Sequence, residues 1–566
     1  MFDKDRGWIA FQGKGMKLPD QVRGKVLELN NDLVVVDCCL HKFPYDEVAA
    51  DVNEKYYWMD GFVVNKPELI KENSSLNWQE AFIEETRRTD FPNRLRGGFS
   101  GLISDKNEVS LFNDHVGNHA VYYYCHNGIL VCSTRVYYIL ELLKYNEIKL
   151  QYNVRAAHYM LEHGYMLDDS TFIIEIKRLL PGQKIRILKD GSKEITQYYS
   201  LDNSHVKKDM TEEDAVELID RYFRQAVKRE FDKDKEYGYE HLVDLSGGLD
   251  SRMVCWVAHD MGYIDQVNMT HCKDGYLDFE IAQKIAITLK HDFSYMPMND
   301  FKWYRDAEEL TRKNNGASLY LGITKGKRHF QILDKERFAI NHTGMVGDAI
   351  VGSFFADASE GYKMPTGKEQ SYSTKLHYDV DDKILHKYAN KELYLLNVRG
   401  LLCAQTSYFT IQTYFEASSP FLDVDFLEAV LSVPLSMRCK HYIYFKWIEK
   451  KYPQAAEFGW EAWKGLTPKL QNMNKVKYWT KLWRKVNRLK MKVWKCEPQH
   501  IHPTDYWYEK DIETQQWAEQ YFNDRIDLLK EYPDLMNDVK LLFTEGRTIE
   551  KTQAITVLAW AGFVYE

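Results

Sequence analysis

His241-Leu242-Val243-Asp244-Leu245-Ser246-Gly247-Gly248-Leu249-Asp250-Ser251 is the stretch on which the reading of this chain turns. The apolar run from His241 to Leu245 predicts a strand, and the helical period of Arg252 to Met261 predicts a helix. Strand, glycine turn and helix form a phosphate-binding geometry. Adjacent glycines let the backbone approach an oxyanion, and the helix start offers free N–H groups and the positive end of its dipole. Ser246 and Ser251 add hydroxyl donors, and Asp250 can reach a magnesium ion on the phosphates. No lysine follows the glycines, so this is not the Gly-x-x-x-x-Gly-Lys loop. The plain alternative is an ordinary glycine turn between a strand and a helix.

Working outward, strands and helices alternate downstream. A helix over 212–230 leads into the phosphate strand. Beyond its helix come strand 267–272, helix 277–289, strand 293–296, two helical stretches and strand 338–342. This alternation predicts an α/β doubly wound parallel sheet, with ligands at the carboxyl ends of its strands. After Gly400 the chain reads as mostly helical.

Upstream, the first two hundred residues read as hairpins. Runs 26–29 and 33–39 flank Asn30-Asn31-Asp32, and 99–103 and 109–112 flank Asp105-Lys106-Asn107. Runs 120–125 and 129–132 flank Asn127-Gly128, and 184–188 and 194–199 flank Asp190-Gly191. With helices at 78–89 and 136–143, an α+β sandwich is expected. The polar stretch Leu201 to Met210 is the expected linker, giving domains 1–203 and 204–566.

At 566 residues two or more domains are expected. Hydrophobic content of 45% with 28% charged residues describes a globular chain. A net charge of −8 argues against a nucleic-acid partner. Nine cysteines, two of them adjacent (Cys38, Cys39) and none in a CxxC pair, imply neither a zinc site nor a disulfide framework. A cytoplasmic, reducing setting is expected. The charged N-terminus lacks an apolar signal segment, and no apolar run approaches bilayer-spanning length.

Four further segments carry a resemblance. Thr343-Gly344-Met345-Val346-Gly347-Asp348-Ala349-Ile350-Val351-Gly352 follows a strand as a second glycine-rich loop. Glu416-Ala417-Ser418-Ser419-Pro420-Phe421-Leu422-Asp423 reads as a loop before a helix. Leu95-Arg96-Gly97-Gly98-Phe99-Ser100-Gly101 and Leu180-Pro181-Gly182-Gln183 lie in the β-rich part. With the Ser-Gly-Gly-x-Asp-Ser loop, in this order and spacing, they resemble the asparagine synthetase family over nearly the whole chain, strongest from Leu242 to Phe426. The resemblance implies an N-terminal Ntn-hydrolase-like glutaminase domain. It also implies an ATP pyrophosphatase (PP-loop, adenine nucleotide α-hydrolase-like) synthetase domain that ends in a helical, basic part from about 470. The implied reaction has two steps. A substrate carboxylate attacks the α-phosphate of ATP, releasing pyrophosphate, and an amine or ammonia then displaces AMP to form an amide. Asp250 and Asp348 match the magnesium positions. Ser246, Gly247, Gly248 and Ser251 match the pyrophosphate cradle, with Gly344 on the second loop beside it. Leu245 and Thr270-His271-Cys272 match the adenosine lining. Asp278 and Glu280 match an acidic pair on the next helix, and Lys464 matches a lysine set against the adenylate.

The chain departs from that family at telling positions. The family's glutaminase nucleophile is a cysteine at the mature N-terminus, whereas Phe2 stands here. Cys38 and Cys39 lie in an apolar run and are expected to be buried strand residues. The glutamine-binding motif Asn-Gly-Glu-Ile-Tyr-Asn corresponds to Asp60-Gly61-Phe62-Val63-Val64-Asn65, with Phe62 in place of the carboxylate. The N-terminal domain is therefore expected to be degenerate, as in the β-lactam synthetases and lasso-peptide cyclases. In the second loop the family's acid–base glutamate is Met345, and a later glutamate is Ala349. A missing general base costs about 10²–10⁴-fold. The expected function is thus an ATP- and magnesium-dependent ligase joining a small-molecule or peptide carboxylate to an amine donor. The alternatives are a nucleotide-binding scaffold without catalysis and a glutamine-hydrolysing asparagine synthase. A homodimer is left open.

From Lys475 to Lys495 nine lysines and arginines alternate with Val476, Trp479, Leu482, Trp483, Val486, Leu489 and Val493. The spacing of three and four predicts an amphipathic basic helix. Its apolar stripe is expected to pack on the synthetase domain. The alternative is peripheral docking on an anionic membrane through 475–495.

Overall fold

A computed structural model describes residues 6–19, 22, 24–29, 33–323, 326–494, 497–498 and 500–566, with backbone alone at 323 and 490–494. Phe2, the Asn30-Asn31-Asp32 turn and Lys495 lie outside the described residues.

The hairpin signals build two six-stranded antiparallel sheets. The first runs Ile176–Leu179, Val121–His126, Ile129–Ser133, Gly7–Gln12, Val34–Cys38, Lys25–Glu28 across its width. The second runs Lys193–Gln197, Gln183–Leu188, Glu108–Asn113, Gly97–Ser104, Lys55–Val63, Val48–Val52. Trp8, Val35, Trp58, Leu102, Leu111, Val121 and Cys132 fill the space between them. Strand Gly7–Gln12 gave no alternation signal because both its faces are buried. Trp8 and Ala10 enter the inter-sheet core, and Ile9 and Phe11 enter the core on the opposite face.

Helices Lys66–Glu72 and Trp78–Thr86 supply the apolar layer outside the second sheet. The first sheet is covered by Val136–Tyr145 and Val154–His163 together with the last helices of the chain. Helix Thr548–Tyr565 is anchored there by side chains. Gln553 Nε2 donates to the Met160 and Leu161 carbonyls at 3.0 Å, and the Tyr152 hydroxyl donates to the Val557 carbonyl at 3.1 Å.

The alternating segment forms a five-stranded sheet, every pair parallel, in the order Asp292–Pro297, Gln266–Cys272, Glu240–Asp244, Phe338–His342, Glu416–Ser418. The chain builds outward from Glu240–Asp244 in one direction, then returns to add Phe338–His342 on its other side. Strand order reverses between those two neighbours, which opens a crevice at their carboxyl ends. Glu416–Ser418, expected as loop, is the edge strand; three residues are too few to show a period. Its edge is occupied by the sandwich: Asn118 Nδ2 donates to the Ala417 carbonyl at 2.8 Å, and His119 Nε2 lies 2.8 Å from Glu416 Oε2. Helix Glu212–Tyr237 begins at a Thr211 capping box and runs past the expected Glu230 to a left-handed Gly238.

One buried carboxylate ties the sandwich to that helix. Asp46 accepts from Lys66 at 2.6 Å, Lys233 at 2.8 Å, the Tyr237 hydroxyl at 2.7 Å and the Val63 N–H at 2.8 Å. Asp46 is fully buried and both lysines nearly so. Asp46→Ala would leave the two buried ammonium groups only the partly exposed Glu236, which pairs with Lys66 at 2.6 Å and with Lys233 at 2.5 Å, and is expected to cost about 2–3 kcal/mol in denaturant unfolding. A change below about 1 kcal/mol would show that Asp46 does not hold the two parts together.

Candidate active site

The phosphate-type loop leaves strand Glu240–Asp244 and enters helix Asp250–Asp260, which has no side-chain cap on its first turn. Its N-terminal N–H groups are thus available to an anion. Within the loop, Gly248 N–H donates to Ser246 Oγ at 3.1 Å, and Ser246 and Ser251 share a hydroxyl–hydroxyl bond at 2.9 Å. Neither Gly247 nor Gly248 has a positive φ. Gly247 is needed for space instead: a Cβ there would lie 2.6 Å from Asp278 Oδ1. Its N–H donates to that oxygen at 2.7 Å, so this cradle amide is already engaged.

The second glycine loop follows Phe338–His342 and presses against the first. A Cβ on Gly344 would meet Ser251 N at 2.3 Å and Asp250 C at 2.5 Å, and one on Gly347 would meet Asp250 Cγ at 2.8 Å. This approach lets the Asp348 N–H donate to Asp250 Oδ2 at 2.9 Å. The buried Tyr444 hydroxyl donates to Asp250 Oδ1 at 2.9 Å. Between the glycines, β-branched Val346 is held at φ +65°, a costly conformation that the packed loop sustains.

Burial raises the Asp250 carboxyl well above its ordinary range, and the nearby Asp348 charge raises it further; the Asp348 N–H and the Tyr444 hydroxyl offset part of this. Two acidic groups that repel across the mouth of a glycine loop suit a divalent cation. Magnesium needs only one or two protein carboxylates when phosphates and waters complete its shell. Asp250 and Asp348 fit that requirement.

These loops wall a cavity of about 480 Å³, within the range of small-molecule sites. Leu245, Ser246, Gly248, Asp250, Ser251, Thr270, His271, Gly344 and Asp348 line it. Gly247 lies behind the loop surface with its amide on Asp278. The Thr270 hydroxyl donates to the Leu245 carbonyl, tying two strand ends together. Asp278 is buried at the cavity, whereas Glu280 is exposed on its helix. Lys464 is not among the lining residues. Its ammonium donates to Glu461 Oε1 at 2.8 Å and lies 5.3 Å above the Trp483 ring.

Several wall residues gave no sequence signal. Trp460 and Ala462 come from a segment that Arg252 fixes to the loop. The buried Arg252 guanidinium donates to the carbonyls of Ala455, Phe458 and Gly459. Glu461 N–H donates to the Gly247 carbonyl at 3.1 Å. Ile501 and His502 arrive from the far C-terminal part. Asp244, the last residue of strand Glu240–Asp244, also lines the cavity. Burial lifts its carboxyl to about 7, and Asn341 Nδ2 donates to it at 3.1 Å. Only the position of Asp244 at a strand end, beside a glycine loop, could have flagged it.

In the sandwich, Phe62 is buried on strand Lys55–Val63 and Cys39 is buried just beyond strand Val34–Cys38. Burial pushes the Cys39 thiol well up, and the charges of Asp60 and Asp37 push the same way, so it is no ready nucleophile.

No protein-family model matches the chain, and no curated protein matches it. Among solved structures, the glutamine phosphoribosylpyrophosphate (PRPP) amidotransferase from B. subtilis, complexed with ADP and GMP, is similar over 51% of this chain. The match spans 59% of that enzyme's chain, at 10% identity and a TM-score of 0.21. A structure described as the allosteric regulatory enzyme of purine biosynthesis is similar over 51% of this chain and 74% of its own, at 9% identity and a TM-score of 0.23. Similarity this low leaves the site to its own geometry.

Gly344→Ala is expected to push the two loops apart, lowering stability by about 1–3 kcal/mol. Gly248→Ala, whose Cβ would meet only Ser246 Oγ at 3.0 Å, should be milder. Thermal melts of both variants check this; a Gly344→Ala protein as stable as wild type would contradict it.

Proposed function

We propose that this protein is an ATP- and magnesium-dependent ligase of the asparagine synthetase type, adenylating a carboxylate and joining it to a free amine or ammonia. The observation that carries this reading is the meeting of Asp250, Asp348 and the serine-bearing loop at the strand-order reversal. In this reading the parallel sheet is a PP-loop synthetase domain and the sandwich an Ntn-type glutaminase domain without its chemistry. Buried Phe62 and the raised Cys39 thiol support that loss.

A carboxylate is a poor electrophile; when one of its oxygens bonds the α-phosphorus and pyrophosphate leaves, that oxygen becomes part of an AMP leaving group that an amine can displace. The chain's part is placement and charge stabilisation. Ser246, Ser251 and the open first turn of helix Asp250–Asp260 would receive the departing pyrophosphate. Leu245, Thr270 and His271 would border the adenosine. Tyr444 orients the Asp250 carboxylate, and Asp250 with Asp348 would hold magnesium, which supplies neutralisation of phosphate charge. Met345 cannot accept a proton. Asp244 lines the same cavity with a carboxyl poised near neutrality, and we assign it the proton of the attacking amine.

Pyrophosphate and AMP should form from ATP and magnesium with a pool of carboxylates and amines, and Asp250→Ala should abolish their release. Failure to release pyrophosphate despite ATP binding would favour the non-catalytic scaffold, the reading to which Met345 and Ala349 otherwise point. Asp244→Asn should lower the ratio of amide formed to pyrophosphate released by about 10²-fold or more. A base must be deprotonated to act, so amide formation in the wild type should rise with pH through about 7. A flat profile from pH 6 to 8, or an unchanged ratio in Asp244→Asn, would remove Asp244 from the reaction.

A further inference from the structure

The basic segment forms helix Val476–Trp494, and its stripe does not pack as expected. Tyr478 is 77% exposed, Leu482 54%, Val486 44% and Leu489 61%, with Trp479 at 38%. Trp479, Leu482, Val486 and Leu489 recur at three and four, so they share one face. Lys481, Lys485 and Arg488 run beside them with similar spacing, all exposed. No acidic residue occurs from Lys475 to Lys495. The helix is held along one edge of that face: Trp479 Nε1 donates to the Lys464 carbonyl at 3.1 Å, and Trp483, one turn on, lies under the Lys464 ammonium, which leaves Leu482, Val486 and Leu489 uncovered.

We propose that this face seats the protein on an anionic membrane surface. The chain as a whole is acidic, so the cations gathered here are a local device. An apolar stripe with tryptophan and tyrosine at its edge matches the boundary between acyl chains and headgroups, and the row of cations beside it matches anionic headgroups. A second copy docking face to face would oppose identical cation rows. A nucleic acid would leave the aliphatic stripe in water. The contact proposed is peripheral; among the described residues no helix is long and apolar enough to cross a membrane. The chain on either side of the helix supplies cavity wall, Trp460 and Ala462 before it and Ile501 and His502 after it. If the ligase reading holds, docking sets the site beside substrates carried at that surface.

The test is sedimentation of the full chain with phosphatidylglycerol–phosphatidylcholine vesicles and with phosphatidylcholine vesicles, without nucleotide. Binding is expected to the anionic vesicles and to weaken with salt. Leu482→Asp with Val486→Asp should weaken it at least about tenfold. Lys481→Gln, Lys485→Gln and Arg488→Gln together should weaken it about 10²-fold, at about tenfold or less for each charge. All these side chains are exposed, so the melting temperatures should match wild type. No anionic binding, or binding unaffected by the Leu482→Asp, Val486→Asp pair, overturns the proposal. Self-association in solution that this pair abolishes, without vesicle binding, assigns the face to a second copy instead. Pyrophosphate release is measured without vesicles, so failure of docking and failure of the ligase reading are distinguishable.

Discussion

Everything at the cavity depends on how closely two loops approach where adjacent parallel strands end. Gly344 and Gly347 lie against the first turn of helix Asp250–Asp260 at distances no side chain would permit. That contact places the Asp348 amide on Asp250 and sets two carboxyl groups across one opening. The sheet supplies the opening because its strand order reverses there. The strained Val346 between the glycines is sustained by its surroundings. Ser419 Oγ donates to the Met345 carbonyl, and Thr343 N–H to the Ser418 carbonyl, so the edge strand braces the loop from behind.

The sandwich takes part in the same scaffold. It closes the parallel sheet's edge through Asn118 and His119, and it shares the buried Asp46 cluster with helix Glu212–Tyr237. On that helix Asp234 accepts from both His241 and His342, at 3.0 and 2.7 Å, beneath the two central strands. Burial works against the charged form of His342, yet the Asp234 and Glu230 carboxylates outweigh it and raise its pKa to about 9. The sandwich so bound is part of the framework of the cavity.

The hairpins with Asn-Gly and Asp-Gly turns were legible because those residues enforce the turn, and the strand–helix alternation because its period changes sharply. Strand Gly7–Gln12 was hidden by burial on both faces, and Glu416–Ser418 by its length. At the site, the two glycine loops and their aspartates could be read, since their spacing reflects local backbone needs. Asp244, Tyr444, Arg252 and His502 could not, because each acquires its place from contacts between segments far apart in the chain. Lys464 matched by position alone and is held by Glu461 and Trp483 outside the cavity. The stripe of Val476–Trp494 was legible as a pattern, but whether it packs or stays exposed is decided by the tertiary structure.

The central claim is that the opening between the two glycine loops receives ATP phosphates with magnesium. Hydrogen exchange of backbone amides, with and without ATP and magnesium, tests it most directly. The account predicts new protection at 246–251 and at 344–348 together, dependent on magnesium and absent in Asp250→Ala. Protection confined to other segments, or identical without magnesium, would contradict it.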